Sequence, residues 1–146
     1  MTNRVLQHKT VLVVEDESSD WFLIQRAFRL LSQKFTLKLV KTAEEAVSYL
    51  EGTELYQDQG KYPLPVLVLL DLRLPGMSGL DLLKWIRHQP YLEGLPVIAL
   101  TAYGNRELPR AYDLGIDFYL LKPIEANSLA EILYGLGLYD GSAESK

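Results

Sequence analysis

Short apolar runs alternate along the chain with longer stretches in which an apolar residue returns every third or fourth place. TVLVV (10–14), FTLKLV (35–40), VLVLL (66–70), VIAL (97–100) and DFYLL (117–121) are built from β-branched and large apolar side chains, and they predict five strands. Between them the period becomes helical. From about Ser18, the residues Leu23, Ile24, Ala27, Phe28 and Leu31 make one stripe. Thr42, with Glu45 three places on, reads as a capping box that opens a helix through Ala46, Val47 and Leu50. Gly79 to Arg87 predicts a third helix with Leu82, Leu83 and Ile86 inward. NRELPRAYDLG (105–115) predicts a weak helix, because Pro109 is admissible only near its first turn. Asn127 to about Leu136 places Leu129, Ile132, Leu133 and Leu136 on one face. EGTELYQDQGKYPLP (51–65) is polar and carries Gly and Pro, so it predicts a loop longer than the usual connection. The ending YDGSAESK predicts a frayed tail.

Five strands alternating with five helices imply an α/β fold, a parallel sheet covered on both faces with right-handed crossovers. The organisation expected is an N-terminal extension at 1–9, one domain at 10–138 and a flexible tail at 139–146. A chain of 146 residues suffices for one core. Its net charge of −4 argues against a dedicated nucleic-acid binder. The absence of cysteine removes disulfides and thiolate metal sites. No apolar run is long enough to span a bilayer, and MTNRVLQHKT has no secretory apolar core. A cytoplasmic location is the expectation, with neither nucleic acid nor membrane as a partner.

The polar residues at strand ends carry the candidate chemistry. Glu15 and Asp16 follow the first strand, Asp71 the third, Thr101 the fourth and Lys122 the fifth. In an open α/β sheet, ligands bind outside the carboxyl ends of the strands, so these groups converge on one crevice. Converging carboxylates repel each other by roughly 4 kcal/mol per pair at about 4 Å and an effective dielectric near 20. Lys122 offsets one charge. A hard cation such as Mg²⁺, held by carboxylates, water and a phosphate, would offset two more. The set therefore suits Mg²⁺ and a phosphoryl group, with Thr101 and Lys122 on its oxygens and Asp71 as ligand or nucleophile.

VLVVEDE (11–17), LLDLRLPGMSG (69–79), LTA (100–102) and YLLKP (119–123) together resemble the receiver domain of bacterial two-component response regulators, in order and spacing, from about Thr10 to Leu136. The resemblance implies a flavodoxin-like, doubly wound sheet of strand order 2-1-3-4-5. It implies Asp71 as phosphoacceptor, Asp16 as direct Mg²⁺ ligand, Glu15 as second acid and the Arg73 backbone carbonyl as third protein ligand. Thr101 and Lys122 match the switch hydroxyl and the active-site lysine, Tyr119 the switch aromatic, and Lys122–Pro123 a bond usually cis in the family. It also implies a sensor histidine kinase as donor and a downstream protein or phosphotransfer partner. A homodimer through helix 4, strand 5 and helix 5 is a further expectation. Glu15 stands where many members carry Asp. The long 51–65 loop and the ending GLGLYDG resemble small cyanobacterial receivers, some of which serve phytochrome kinases.

Two further positions are expected to tune the lifetime of the phosphorylated state. Arg73 lies two residues past Asp71 and Tyr103 two past Thr101, so both should overhang the phosphoryl group. Plainer roles compete at several positions. An isolated Asp after a strand is usually a turn acid, an isolated Thr a cap and an isolated Lys a solvated surface group; their common register sets these apart. Tyr119 could be core packing, and Phe22, beside Trp21 on the first helix, either local packing or a partner contact. No nucleophile elbow, phosphate-binding loop or dinucleotide fingerprint is present. An Mg²⁺ phosphohydrolase with an Asp nucleophile would want an acid where Arg73 stands. A degenerate receiver that only binds partners would lack the phosphoacceptor or lysine.

Overall fold

The computed structural model describes residues 9–141. Five strands, β1 (Thr10–Val14), β2 (Thr36–Val40), β3 (Leu67–Asp71), β4 (Val97–Thr101) and β5 (Phe118–Leu121), form one sheet in the order β2-β1-β3-β4-β5. Every pairing is parallel. The helices are α1 (Ser18–Arg29), α2 (Ala43–Glu51), α3 (Gly79–Arg87), α4 (Leu108–Asp113) and α5 (Ala126–Gly135). This is the doubly wound arrangement that alternation predicts.

Burial on both faces explains why the central strands read as unbroken apolar runs. Leu12, Val14, Val68, Leu70, Val97 and Ala99 point to one side, where α2, α3 and α4 pack. Val11, Val13, Leu67, Leu69, Ile98 and Leu100 point to the other, against α1 and α5. The outer strands differ: β5 buries only Leu120 of its four residues.

Helix starts follow their local chemistry. Thr42 Oγ1 accepts from the Glu45 amide at 3.0 Å. Glu45 returns the bond one residue earlier than an ordinary capping box, to the Lys41 amide at 2.8 Å. Ser78 caps α3 through the Asp81 amide. Gly79 is required where α3 meets the end of β3, since a Cβ there would lie 2.6 Å from the Asp71 carbonyl oxygen. Pro109 falls in the first turn of α4, and α4 is shorter than the 105–115 pattern suggests.

Two segments differ from expectation. The 51–65 connection contains a turn of 3-10 helix at Glu54–Tyr56 and is pinned by three tyrosine rings. Tyr49, Tyr56 and Tyr62 meet at centroid distances of 5.0–5.8 Å, and the Tyr49 hydroxyl donates to the Pro63 carbonyl. The expected fraying does not begin at Tyr139. That ring is buried near Phe35, and its hydroxyl lies 3.0 Å from the Ser32 amide and 2.9 Å from Ser32 Oγ. Burying an aromatic side chain outweighs the entropy of ordering one more residue, so the packed domain runs past 138. Residues 1–8 of the expected extension and 142–146 of the expected tail lie outside the described residues. Among the described residues, no helix is long and apolar enough to cross a membrane.

Candidate functional site

The carboxyl ends of β1, β3, β4 and β5 meet at one rim of the sheet, above a cleft of about 970 Å³. Parallel pairing sets this. Asp71 is opposite Leu100, and Thr101 opposite Leu121. Past the strands, the Lys122 amide donates to the Thr101 carbonyl at 2.9 Å and the Glu15 amide to the Val40 carbonyl at 3.0 Å. Asp71 and Thr101 are the last residues of their strands, so their backbones are held by the ladder.

Lys122 is the centre of the charge arrangement. Its Nζ lies 3.1 Å from Asp71 Oδ2, 3.1 Å from Glu15 Oε1 and 2.9 Å from Asp20 Oδ2. Burial alone would pull its pKa down. The hydrogen bond to Asp20 and the charges of Asp71 and Glu15 outweigh that and hold it above the ordinary lysine value, so the ammonium stays charged. Asp71 is buried; its Oδ1 accepts from the Arg73 amide at 2.9 Å.

Glu15 is the strained member. Its Oε2 accepts from the Glu17 amide at 3.1 Å, while Oε1 is buried and accepts no hydrogen bond among the described residues. The Lys122 contact at Oε1 is thus ionic without an aligned N–H. Burial pushes the Glu15 carboxyl up to about 7; the Glu17 amide opposes this, and the neighbouring Asp71 reinforces it. An orphaned buried oxygen beside a second acid is what a missing cation would leave. Oxygens of Glu15, Asp16 and Asp71 lie within 4.8 Å of one another, with Asp16 exposed at the mouth. The donor set is all oxygen, which fits a hard divalent ion.

The remaining expected residues fall at or near the same rim. Thr101 is buried, and its hydroxyl donates to the Ala102 carbonyl at 3.3 Å rather than to an acid. Arg73 and Tyr103 line the cleft, with Tyr103 91% exposed. Tyr119 is 40% exposed on the α4 face of β5, with its ring edge-to-face on Tyr112 at 6.3 Å. That position sets aside the plain core role. Lys122–Pro123 is cis. Phe22 is exposed, whereas Trp21 is half-buried against the α1–α5 side of the core.

Asp20 escaped the sequence reading. It sits in the first turn of α1, where an acid is ordinary for a helix. Only the fold reveals its partner, 102 residues away. The available signal was its place four residues after Asp16, one turn into the helix that follows β1.

A five-stranded 2-1-3-4-5 sheet with acids and a lysine at this rim defines a class, and the comparisons agree with it. Residues 11–134 match the response regulator receiver domain, and the chain belongs to that family. It is 35% identical over 120 residues to the probable methanogenesis regulatory protein FilR2 of Methanothrix harundinacea, covering 82% of this chain and 75% of that one. It is 31% identical over 132 residues to the response regulator Rcp1 of Synechocystis sp., covering 88% and 86%. Rcp1 has been solved in an Mn²⁺-bound form. The phosphorylated cyanobacterial phytochrome response regulator RcpA superposes with a TM-score of 0.74 at 32% identity, covering 88% of this chain and 91% of that one. Receiver domains are phosphoacceptor regulators that work with histidine kinases.

Proposed function

We propose that this receiver accepts a phosphoryl group on Asp71 from a sensor histidine kinase and passes the signal on through protein contacts. The observation that carries the reading is the Lys122 ammonium at 3.1 Å from both Asp71 and Glu15, beside three carboxylates close enough to share one cation. In the transfer, an Asp71 carboxylate oxygen attacks phosphorus, the bond from phosphorus to the donor imidazole nitrogen breaks, and an acyl phosphate forms. The chain does little covalent chemistry beyond this; it positions groups and neutralises charge. Lys122 pairs with a phosphoryl oxygen. The Arg73 amide holds the Asp71 carboxylate in place. Thr101 turns its hydroxyl from the Ala102 carbonyl to the new oxygens. Glu15, Asp16, Asp71 and the Arg73 carbonyl would hold Mg²⁺, which when bound neutralises charge on the transferring group.

The switch follows from the same residues. Movement of Thr101 vacates space beside β5, and Tyr119 turns inward from its outer position against Tyr112. The changed face of α4, β5 and α5 then engages a second copy or a downstream protein. Slow loss of the phosphoryl group to water resets the switch. RcpA is a phytochrome response regulator, which supports a phytochrome as the kinase, and exposed Phe22 on α1 suits a docking surface.

The test is intact-mass measurement after incubation with Mg²⁺ and acetyl phosphate. The wild-type chain should gain one phosphoryl group, and Asp71→Asn should gain none. Equal labelling of the two would move the acceptor elsewhere. No labelling of the wild type by acetyl phosphate or by a phytochrome kinase would end the reading.

A further inference from the structure

The fourth acid at the rim has no part in the scheme above. Asp20 lies in the first turn of α1, and a carboxylate there ordinarily serves the helix, by its charge or by reaching back to the N-cap amide. Here Glu15 Oε2 occupies the amide of Glu17, the N-cap residue of α1. Asp20 instead turns across the cleft and takes the shortest of the three contacts to Lys122, at 2.9 Å against 3.1 Å and 3.1 Å. Both side chains are largely covered, at 23% and 18% exposed.

The three partners of Lys122 do not survive phosphorylation equally. Glu15 and Asp71 belong to the oxygen cluster that suits a cation, and Asp20 does not. Conversion of Asp71 to an acyl phosphate also removes its carboxylate charge. A lysine has about 2 kcal/mol of rotamer entropy to lose when it is fixed. Without a standing anchor, Nζ would be freed at the stage when it must meet the phosphoryl oxygen. Asp20 is the carboxylate that can hold it from the resting state through the transfer.

We propose that Asp20 is a positioning residue for phosphoryl transfer, tethering the Lys122 ammonium over Asp71. The proposal rests on the reading of Asp71 as phosphoacceptor. It gives Asp20 no contact with the reacting atoms; it acts through Lys122. An isosteric Asn keeps an acceptor oxygen for the ammonium, whereas Ala removes it.

Two measurements on Asp20→Ala and Asp20→Asn in the full chain decide it. The first uses metal-free protein and the ¹H–¹⁵N signal of the Lys122 ammonium, assigned by its loss in Lys122→Arg. The signal should be sharp in wild type, retained in Asp20→Asn and lost to rapid exchange in Asp20→Ala. The second follows phosphorylation by acetyl phosphate with saturating Mg²⁺. The maximal rate constant should fall about tenfold or more in Asp20→Ala, the scale of a misplaced positioning group. Asp20→Asn should restore most of it, and the half-saturating donor concentration should stay put. An unchanged maximal rate with an unchanged ammonium signal in Asp20→Ala would overturn the proposal. Equal behaviour of Asn and Ala, with a lower half-saturating donor concentration in both, would also overturn it, since that is the mark of simple repulsion between Asp20 and an anionic donor. If wild type takes no phosphate while the ammonium signal behaves as expected, the Asp71 reading fails and the tether stands as a resting-state contact only.

Discussion

At the scale of single residues, the rim works by setting one buried carboxyl against one lysine. Glu15 ionises with difficulty: burial first, then Asp71, lift it from 4.5 to about 7. A group whose folded pKa lies above its unfolded value binds more protons when folded, so stability must fall as pH rises between the two. In metal-free protein the loss should run from about pH 4.5 to 7 and total about 3 kcal/mol, at about 1.4 kcal/mol per pKa unit. Urea titrations of wild type and Glu15→Gln should diverge over that window and run parallel above it, and saturating Mg²⁺ should remove the divergence. Curves parallel throughout would mean that Glu15 is ionised without cost. On the proposed function, Arg73 and Tyr103 are expected to act on water instead. Both line the cleft, and the bond from Arg73 to Asp71 is made by its backbone amide, which an alanine keeps. Arg73→Ala with Tyr103→Ala should speed dephosphorylation several-fold by opening the approach of water, followed as decay of the labelled mass. An unchanged or slower decay would remove their gatekeeping role.

At the scale of elements, the strands are legible because each is a short run dominated by apolar residues, with β-branched members in β1, β3 and β4, and the rim acids because they follow the first and third runs. Boundaries moved where pairing decided them: β3 and β4 extend to Asp71 and Thr101 because the ladder between them continues to the rim. Contacts between distant residues left no periodic trace. The three-tyrosine pin on the 51–65 loop has that origin, and so does the Asp20–Lys122 pair. The ending YDGSAESK predicts fraying because chain termini are usually poorly ordered, but Tyr139 is buried. It is instead a plug against the turn that follows α1, reinforced where Lys9 Nζ donates to the Leu138 carbonyl at 2.7 Å. Its hydroxyl bonds Ser32, which is exposed and can turn to water. Tyr139→Phe should therefore cost only about 1 kcal/mol. Tyr139→Ala opens a cavity beside Phe28 and Phe35 and should cost about 3 kcal/mol or more. Chemical denaturation would show both, and a neutral Ala variant would return the residue to the tail.

At the scale of the whole molecule, the rim and the exposed side chains of β5 share one pair of strands. Thr101 stands opposite Leu121, and Ala99 opposite Tyr119, across the β4–β5 ladder. The Lys122 amide is bonded to the Thr101 carbonyl. On the proposed switch, a pull on Thr101 at the rim would pass along this ladder to the exposed side chains of β5. Among the described residues, no further strand pairs beyond β5. Tyr119 and Leu121, with Tyr112 from α4, leave an apolar strip on the α4 face of β5, between 40% and 45% exposed, while Phe118 lies on the opposite face with Leu120. Scattered apolar residues need no explanation, but a contiguous strip on an open edge strand does. A second copy is the expected occupant once Tyr119 has turned inward and flattened the strip. Light scattering on chromatographed protein should give the monomer mass for the resting chain and twice that mass after treatment with Mg²⁺ and acetyl phosphate. Tyr112→Asp places a charge in the strip on α4, rather than on the strand residue beside Lys122. It should take up phosphate at the wild-type rate and stay monomeric. If wild type is labelled on Asp71 yet keeps the monomer mass at tens of micromolar, well above cellular levels for a typical signalling protein, homodimerisation is excluded. The strip would then be assigned to a different downstream protein.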